Sequence, residues 1–332
     1  MDICEDECRA CRARGPHTVH HARELMHGTR DRFDYFECAN CQTVQIQTVP
    51  EAATLARYYP REYYSFAQRR KNRLARWLVA QRDRHVLRLS NIGGALIGRF
   101  RMDPVLRVLA SAGLKPKDRI LDVGCGSGRL LERLASAGFS NLMGVDPFIA
   151  QDVQTPSGVP IKKVTLAQVT ESFDVIMFNH SLEHVPDPVA SLKDASRRLA
   201  PDGTILVRVP TPSSDAWQVY GIDWVQLDAP RHIVLPSREG AAIMAREAGL
   251  AVVDVIDDSG TFQFTGSEQY KRDIPLRNGA HKPLFSRDDI ARFAERAATL
   301  NARHRGDQAM FILRRVTACR DPDRDRPCER HD

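Results

Sequence analysis

Four cysteines in two C-x-x-C pairs, Cys8/Cys11 and Cys38/Cys41, stand 26 residues apart near the start of a 332-residue chain. Two such knuckles suit a tetrahedral Zn²⁺ held in a ribbon, and because all four positions are cysteine no place for water remains. The expected role is structural. Cys4 and His17, His20, His21 and His27 are possible substitutes, with solvated loop histidines as the other reading. A second group lies in Arg119-Ile120-Leu121-Asp122-Val123-Gly124-Cys125-Gly126-Ser127-Gly128, which reads as a buried strand, a glycine-rich turn and a helix opening at Arg129. Glycines at 124, 126 and 128 let backbone N–H groups approach a ligand closely, and the helix N-terminus favours a negative group. Asp122 is placed to receive a cationic group. The dinucleotide spacing G-x-G-x-x-G would need glycine at 129, where this chain has Arg129, which counts against NAD.

The run Leu142-Met143-Gly144-Val145-Asp146 is a second hydrophobic strand ending in a carboxylate, at the place where such folds hold the ribose hydroxyls. Taken in order, LDVGCGSG, GVDP and FDVIMFNHSLEHVPDP, the last at 173–188, resemble the class I S-adenosylmethionine-dependent methyltransferases over roughly residues 103–316. The resemblance implies S-adenosyl-L-methionine as cofactor. It is implied to be held by Asp122, Gly124, Cys125, Gly126 and Gly128 of the turn, by Asp146 on the ribose and by Phe148 against adenine. Asn179, His180 and Leu182, after the fourth strand, would line its methionine part. Glu183-His184 looks catalytic at first sight, but His184 packing at the start of a helix capped by Asp187 is the preferred reading.

Methyl transfer to a hydroxyl or carbon acid needs a base. The insertion Pro210–Pro236 carries Trp217, Tyr220, Trp224 and Asp228-Ala229-Pro230-Arg231-His232. It is similar to the acceptor region of sugar C-methyltransferases that also begin with a cysteine zinc module. His232 alone matches their acting residues, and stands as candidate general base against a structural histidine. The expected acceptor is a small molecule, a nucleotide-linked sugar or secondary metabolite methylated on oxygen or carbon. Methylation of rRNA or tRNA, gripped by ribbon and basic helix, is the alternative. Nucleic acid is disfavoured because Asn179-His180-Ser181-Leu182 lacks the N/D-P-P-aromatic pattern of nucleobase enzymes.

The elements that must position these groups alternate strand and helix. The resulting expectation is an α/β fold: a doubly wound, seven-stranded Rossmann-like sheet, its last strand antiparallel, with a small N-terminal zinc ribbon and a helical cap. The boundaries are 1–50 for the ribbon, 51–102 for a linker and basic cap, and 103–316 for the methyltransferase domain. Acceptor-site insertions fall at 210–237 and 260–303, and 317–332 is a disordered tail. Too few apolar residues precede Pro50 for the ribbon to fold without metal. The tyrosine-rich block 58–66 is read as packing between domains or as a lid. No apolar run reaches the ~18 residues of a membrane span, so a soluble, cytoplasmic protein is expected. The net charge of +6 is concentrated at Arg69–Arg101, where Asp83 is the single acid. That run is a solvated face or a surface for an acidic partner or anionic lipid.

Overall fold

The computed structural model describes residues 2–59, 73–89, 104–277 and 283–316. An eight-stranded sheet forms the centre of the catalytic half. Strand β5 (Arg119–Val123) lies between β6 (Asn141–Val145) and β9 (Phe173–Asn179), parallel to both. Outward on one side come β8 (Pro160–Lys162) and β7 (Val153–Gln154). On the other side come β10 (Leu199–Pro210), β13 (Gln308–Arg315) and β12 (Leu250–Asp257), with β13 antiparallel to both of its neighbours. Seven of these are the expected strands. The eighth, β7, is a two-residue antiparallel addition at one edge.

The strands are apolar over most of their length because helices cover both faces. One core layer gathers Leu121, Ile176, Phe178, Leu192, Val207 and Phe311, and the other Leu106, Ile120, Leu131, Leu134, Met177 and Met310. Helix Pro188–Arg198 starts as read from sequence, with Asp187 accepting a hydrogen bond from the Ala190 amide at 2.9 Å. Helix Arg287–Ala302 opens on a capping box of Ser286 and Asp289.

The N-terminal part is a sheet of β1 (Ile3–Cys4), β2 (His17–Arg23), β3 (Arg32–Glu37) and β4 (Val44–Ile46). Its fifth strand comes from far along the chain. Val234 and Leu235, within the acceptor-side insertion, pair antiparallel with Gln45 and Val44. The hydrophobic core crosses the same seam: Ala22, Tyr35, Val44 and Ile46 pack with Trp217, Trp224, Leu227 and Ile233. The ribbon is thus poor in apolar residues of its own because the catalytic half supplies the other side of its core.

Helix Arg73–Val86 leaves large apolar side chains in solvent and buries its acid. Leu74, Trp77 and Leu78 are exposed, whereas Asp83 is buried between Arg82 and Arg133, the latter at 2.8 Å. The single acid of the basic run therefore joins this helix to the one after the glycine turn. The rest of the run, 69–72 and 90–101, and the tyrosine block beyond Tyr59 lie outside the described residues, as does the tail from 317. No helix among the described residues is long and apolar enough to cross a membrane.

Candidate functional site

The turn after β5 is built from close packing. Gly124 has φ +73°, and a Cβ there would lie 2.5 Å from the Cβ of Ser181, whose hydroxyl donates to the Val123 carbonyl at 2.6 Å. The loops after β5 and β9 are thereby pressed together. Cys125 turns inward over β6, where a Cβ on Gly144 would lie 2.5 Å from its sulfur, and burial pushes its thiol far up. Cys125 therefore contributes packing and its backbone. Gly128 caps helix Arg129–Ala137 in a left-handed conformation without a side-chain cap, which leaves its first amides for a ligand, and the buried hydroxyl of Ser127 beside them has no hydrogen-bond partner among the described residues.

Two carboxylates stand at this turn. Asp146 accepts from the Gly126 amide at 2.9 Å and from the Phe148 amide at 2.8 Å. Asp122 is buried and makes no hydrogen bond to any described residue. Burial first, and then the charge of Asp146, push the Asp122 carboxyl up to about 8. A buried acid beside a second acid, both next to a helix N-terminus with no side-chain cap, is complementary to a ligand bearing an ammonium and a carboxylate. Phe148 is 84% exposed at the rim, free to take a flat ring.

Of the residues after β9, Asn179 accepts from Arg208 at 3.2 Å, and Arg208 in turn donates to Asp258 at 2.7 Å. The side chain of Leu182 is buried with Leu192, Val207 and Met244 in the sheet's core layer, which leaves its backbone as the part that can border a ligand. His180 has φ +53° and its Nδ1 lies 3.2 Å from Glu183 Oε1. Glu183 is fully buried, and its other oxygen has no hydrogen-bond partner among the described residues. Burial alone would raise the Glu183 carboxyl, but the His180 hydrogen bond and the charges of His184, His180 and His232 bring it down to about 2.

His232 approaches the same oxygen of that carboxylate as His180 does. Its Nδ1 is 2.7 Å from the Gln226 carbonyl, and its Nε2 is 3.9 Å from Glu183 and 3.8 Å from Asp228. With 8% of its side chain exposed, the ring faces protein at both nitrogens, the geometry of the structural alternative. His184 packs edge-on to His232 at 4.8 Å and bonds the Arg231 carbonyl at 2.8 Å, as the packing reading has it. Tyr59 Oη also reaches His184, at 3.1 Å, while Tyr58 donates to Asp31 at 2.6 Å. The reading from sequence missed Glu183 as a hub. The signal was local, a histidine and a glutamate three apart at a strand's end.

In the ribbon, Cys8 lies 3.7 Å from Cys41 and Cys11 3.6 Å from Cys38, sulfur to sulfur, with all four sulfurs within 4.8 Å of one another. Zinc–sulfur bonds of ~2.3 Å give a tetrahedron with edges of about 3.8 Å. The quartet fits that ion. The Gln45 amide donates to Cys8 at 3.0 Å, and a hydrogen bond from Cys41 holds Cys8 down at about 4. Cys4 and the four nearby histidines are not in the quartet. His17 stacks on Phe36, and His21 sits between Asp2 and Asp34.

A family profile described as "Methyltransferase domain" matches residues 96–255. A ubiquinone biosynthesis O-methyltransferase of Pseudomonas aeruginosa is 34% identical over 164 residues, which are 44% of this chain and 69% of that protein. Its counterpart in Pseudomonas fluorescens is 32% identical over 157 residues, 42% of this chain and 66% of that protein. An S-adenosylmethionine-dependent methyltransferase from Mesorhizobium loti, of known crystal structure, superposes with a TM-score of 0.42 at 18% identity, covering 64% of this chain and 98% of that one. With a glycine elbow flanked by two acids on a parallel sheet, and a relative matched over more than two thirds of its length, the chain belongs to the S-adenosylmethionine-dependent methyltransferases.

Proposed function

We propose that the chain methylates a small-molecule acceptor on oxygen, with a nucleotide-linked sugar or a phenolic metabolite as the acceptor class. The observation that carries the cofactor assignment is Asp122, a buried carboxylate whose side chain has no partner among the described residues, beside a helix N-terminus with no side-chain cap. In this reading Asp122 receives the ammonium of S-adenosyl-L-methionine. The first amides of helix Arg129–Ala137 receive its carboxylate, Asp146 the ribose hydroxyls and Phe148 the adenine. Gly124, Gly126 and Gly128 allow the approach, Cys125 shapes the turn, and Asn179 and His180 border the methionine part. When bound, the cofactor supplies a methyl group on a cationic sulfur.

Oxygen as the methylated atom follows from the likeness to O-methyltransferases and from the imidazole–carboxylate group at the end of β9, which suits a hydroxyl proton. His232 belongs to that group. Its Nε2 faces Glu183 and Asp228, so its influence on an acceptor passes through those carboxylates. Cys8, Cys11, Cys38 and Cys41 hold Zn²⁺ in a closed, structural site.

Calorimetry of the zinc-replete chain with S-adenosylhomocysteine tests the assignment. Micromolar binding that Asp122→Ala and Asp146→Ala each weaken by tenfold or more supports it, and the absence of binding removes it. Transfer of radiolabelled methyl to phenolic and sugar acceptors then separates the two classes.

A further inference from the structure

We propose that His180, aligned by Glu183, is the catalytic base of this site, and that His232 is a positioning residue beside that carboxylate. The inference rests on the methyl-transfer reading above and goes beyond it by assigning the proton acceptor.

Place comes first. His180 follows the last residue of β9 directly, and its amide donates to the Arg208 carbonyl at 2.9 Å, which fixes the backbone in its left-handed turn. The next residue, Ser181, is pressed against Gly124. The imidazole therefore leaves the chain one residue from the elbow that receives the cofactor's charged end. Strand carboxyl ends are where open α/β sheets hold their ligands.

Access separates the histidines. The side chain of His180 is 30% exposed, that of His232 8% and that of Glu183 nil. His180 Nε2 has no hydrogen-bond partner among the described residues, whereas Nδ1 is taken by Glu183. A carboxylate on Nδ1 selects the tautomer with its proton there and leaves the lone pair on Nε2 for a substrate. The groups facing the dyad are His184, His232 and Asp228. Asp228 is itself bound by Arg231, whose Nε donates to it at 2.9 Å, so Glu183 is the carboxylate open to His180. His232, anchored by the Gln226 carbonyl, stands 3.9 Å from the same Glu183 oxygen that His180 meets at 3.2 Å.

The step balances. The acceptor's O–H bond breaks, its proton passes to Nε2 of His180, and the freed pair on oxygen forms the bond to the methyl carbon as the carbon–sulfur pair returns to sulfur. The products are a methyl ether, a neutral thioether and an imidazolium beside Glu183, which loses its proton to solvent at the exposed edge of the ring.

The test uses the full, zinc-replete chain with S-adenosylhomocysteine bound, and has two arms. In the first, the His180 ring is titrated by NMR, assigned with His180→Gln. Removal of the negative charge in Glu183→Gln is expected to lower its midpoint by about one unit or more, and a midpoint moved by less than about 0.3 unit overturns the dyad. In the second arm, radiolabelled methyl transfer to catechol is followed. Loss of ~10²-fold or more in kcat is expected for His180→Gln, with less than tenfold for His232→Gln. The wild-type kcat should rise with pH through the His180 midpoint and that rise should vanish in His180→Gln. The reverse ranking of the two variants overturns the assignment. The titration arm needs no acceptor and decides alone where catechol is not methylated. A wild-type chain that binds no S-adenosylhomocysteine sinks the methyltransferase reading instead, and leaves the titration of the dyad to be read in the free protein.

Discussion

Substituting Glu24 should loosen the loop that carries His232, although the two lie on different structural units. Glu24 and Arg231 are both fully buried, with Glu24 Oε1 3.3 Å from two guanidinium nitrogens. The same carboxylate accepts from the amides of His27 at 2.9 Å and Thr29 at 3.0 Å. Removing one partner of a buried ion pair costs ~3–5 kcal/mol when the other charge is stranded. Arg231 keeps Asp228, so the full figure applies only where the hydrogen bonds to His27 and Thr29 go too. Glu24→Ala is expected to lose ~3–5 kcal/mol. Glu24→Gln retains one acceptor but turns an amide donor toward other donors, and should lose ~1.5–3 kcal/mol. For a catalytic half of this size, that loss for the Gln variant corresponds to about 4–10 °C in Tm. Urea denaturation gives the energy. Hydrogen exchange gives the place: the amides of β4 and of Val234 and Leu235, which pair with it, should lose protection first. A loss below about 1 kcal/mol in Glu24→Ala, or exchange that rises everywhere except in this pairing, would refute the claim that the buried pair ties ribbon to loop.

Three further outcomes follow from the same geometry. Because Asp122 titrates at about 8 in the fold against 3.8 ordinarily, the folded chain binds this proton more tightly than the unfolded one, so its contribution to stability falls as pH rises between those values. An ammonium-bearing ligand reverses this, so S-adenosylhomocysteine should bind more tightly as pH rises toward 8, with proton release seen by calorimetry in two buffers; no release at pH 7, or an unchanged profile in Asp122→Asn, counts against the assignment. Gly124→Ala places a methyl 2.5 Å from the Ser181 Cβ at φ +73°, and should weaken S-adenosylhomocysteine by tenfold or more and lower Tm; binding within twofold of wild type would show that the two loops are free to part. Stripping zinc with a chelator should red-shift tryptophan emission, since Trp217 and Trp224 lie in the core shared with the ribbon, and an unchanged spectrum after metal release would mean that this core does not depend on the ion.

What could be read from the sequence was what is local along the chain. The glycine elbow, the acid at the end of each of two strands and the cysteine pairs each announce themselves within a few residues, because one turn or one ion imposes the spacing. The capping residues Asp187 and Ser286 belong to the same class. The joins between distant segments could not be read this way. Val234 and Leu235 form a strand only two residues long, too short to show alternation, yet they carry the ribbon's sheet into the catalytic half. Asp83 in a run of bases reads as a surface acid, and only the fold brings Arg133 to it.

The same distinction explains why His232 drew the base assignment and His180 did not. His232 stands in a stretch whose residue types resemble an acceptor loop, and resemblance carries type but not exposure. Whether an imidazole works as a base depends on which of its nitrogens is open and which is held, and those contacts come from other parts of the chain. Tyr35 in β3 donates to the His232 carbonyl at 2.7 Å, and the Ile46 amide donates to the Ile233 carbonyl at 2.9 Å. These bonds seat His232 in the interior beside Glu183. The ribbon thus acts on the site indirectly: it fixes His232, His232 stands against Glu183, and Glu183 sets the tautomer of His180, the ring that adjoins the elbow.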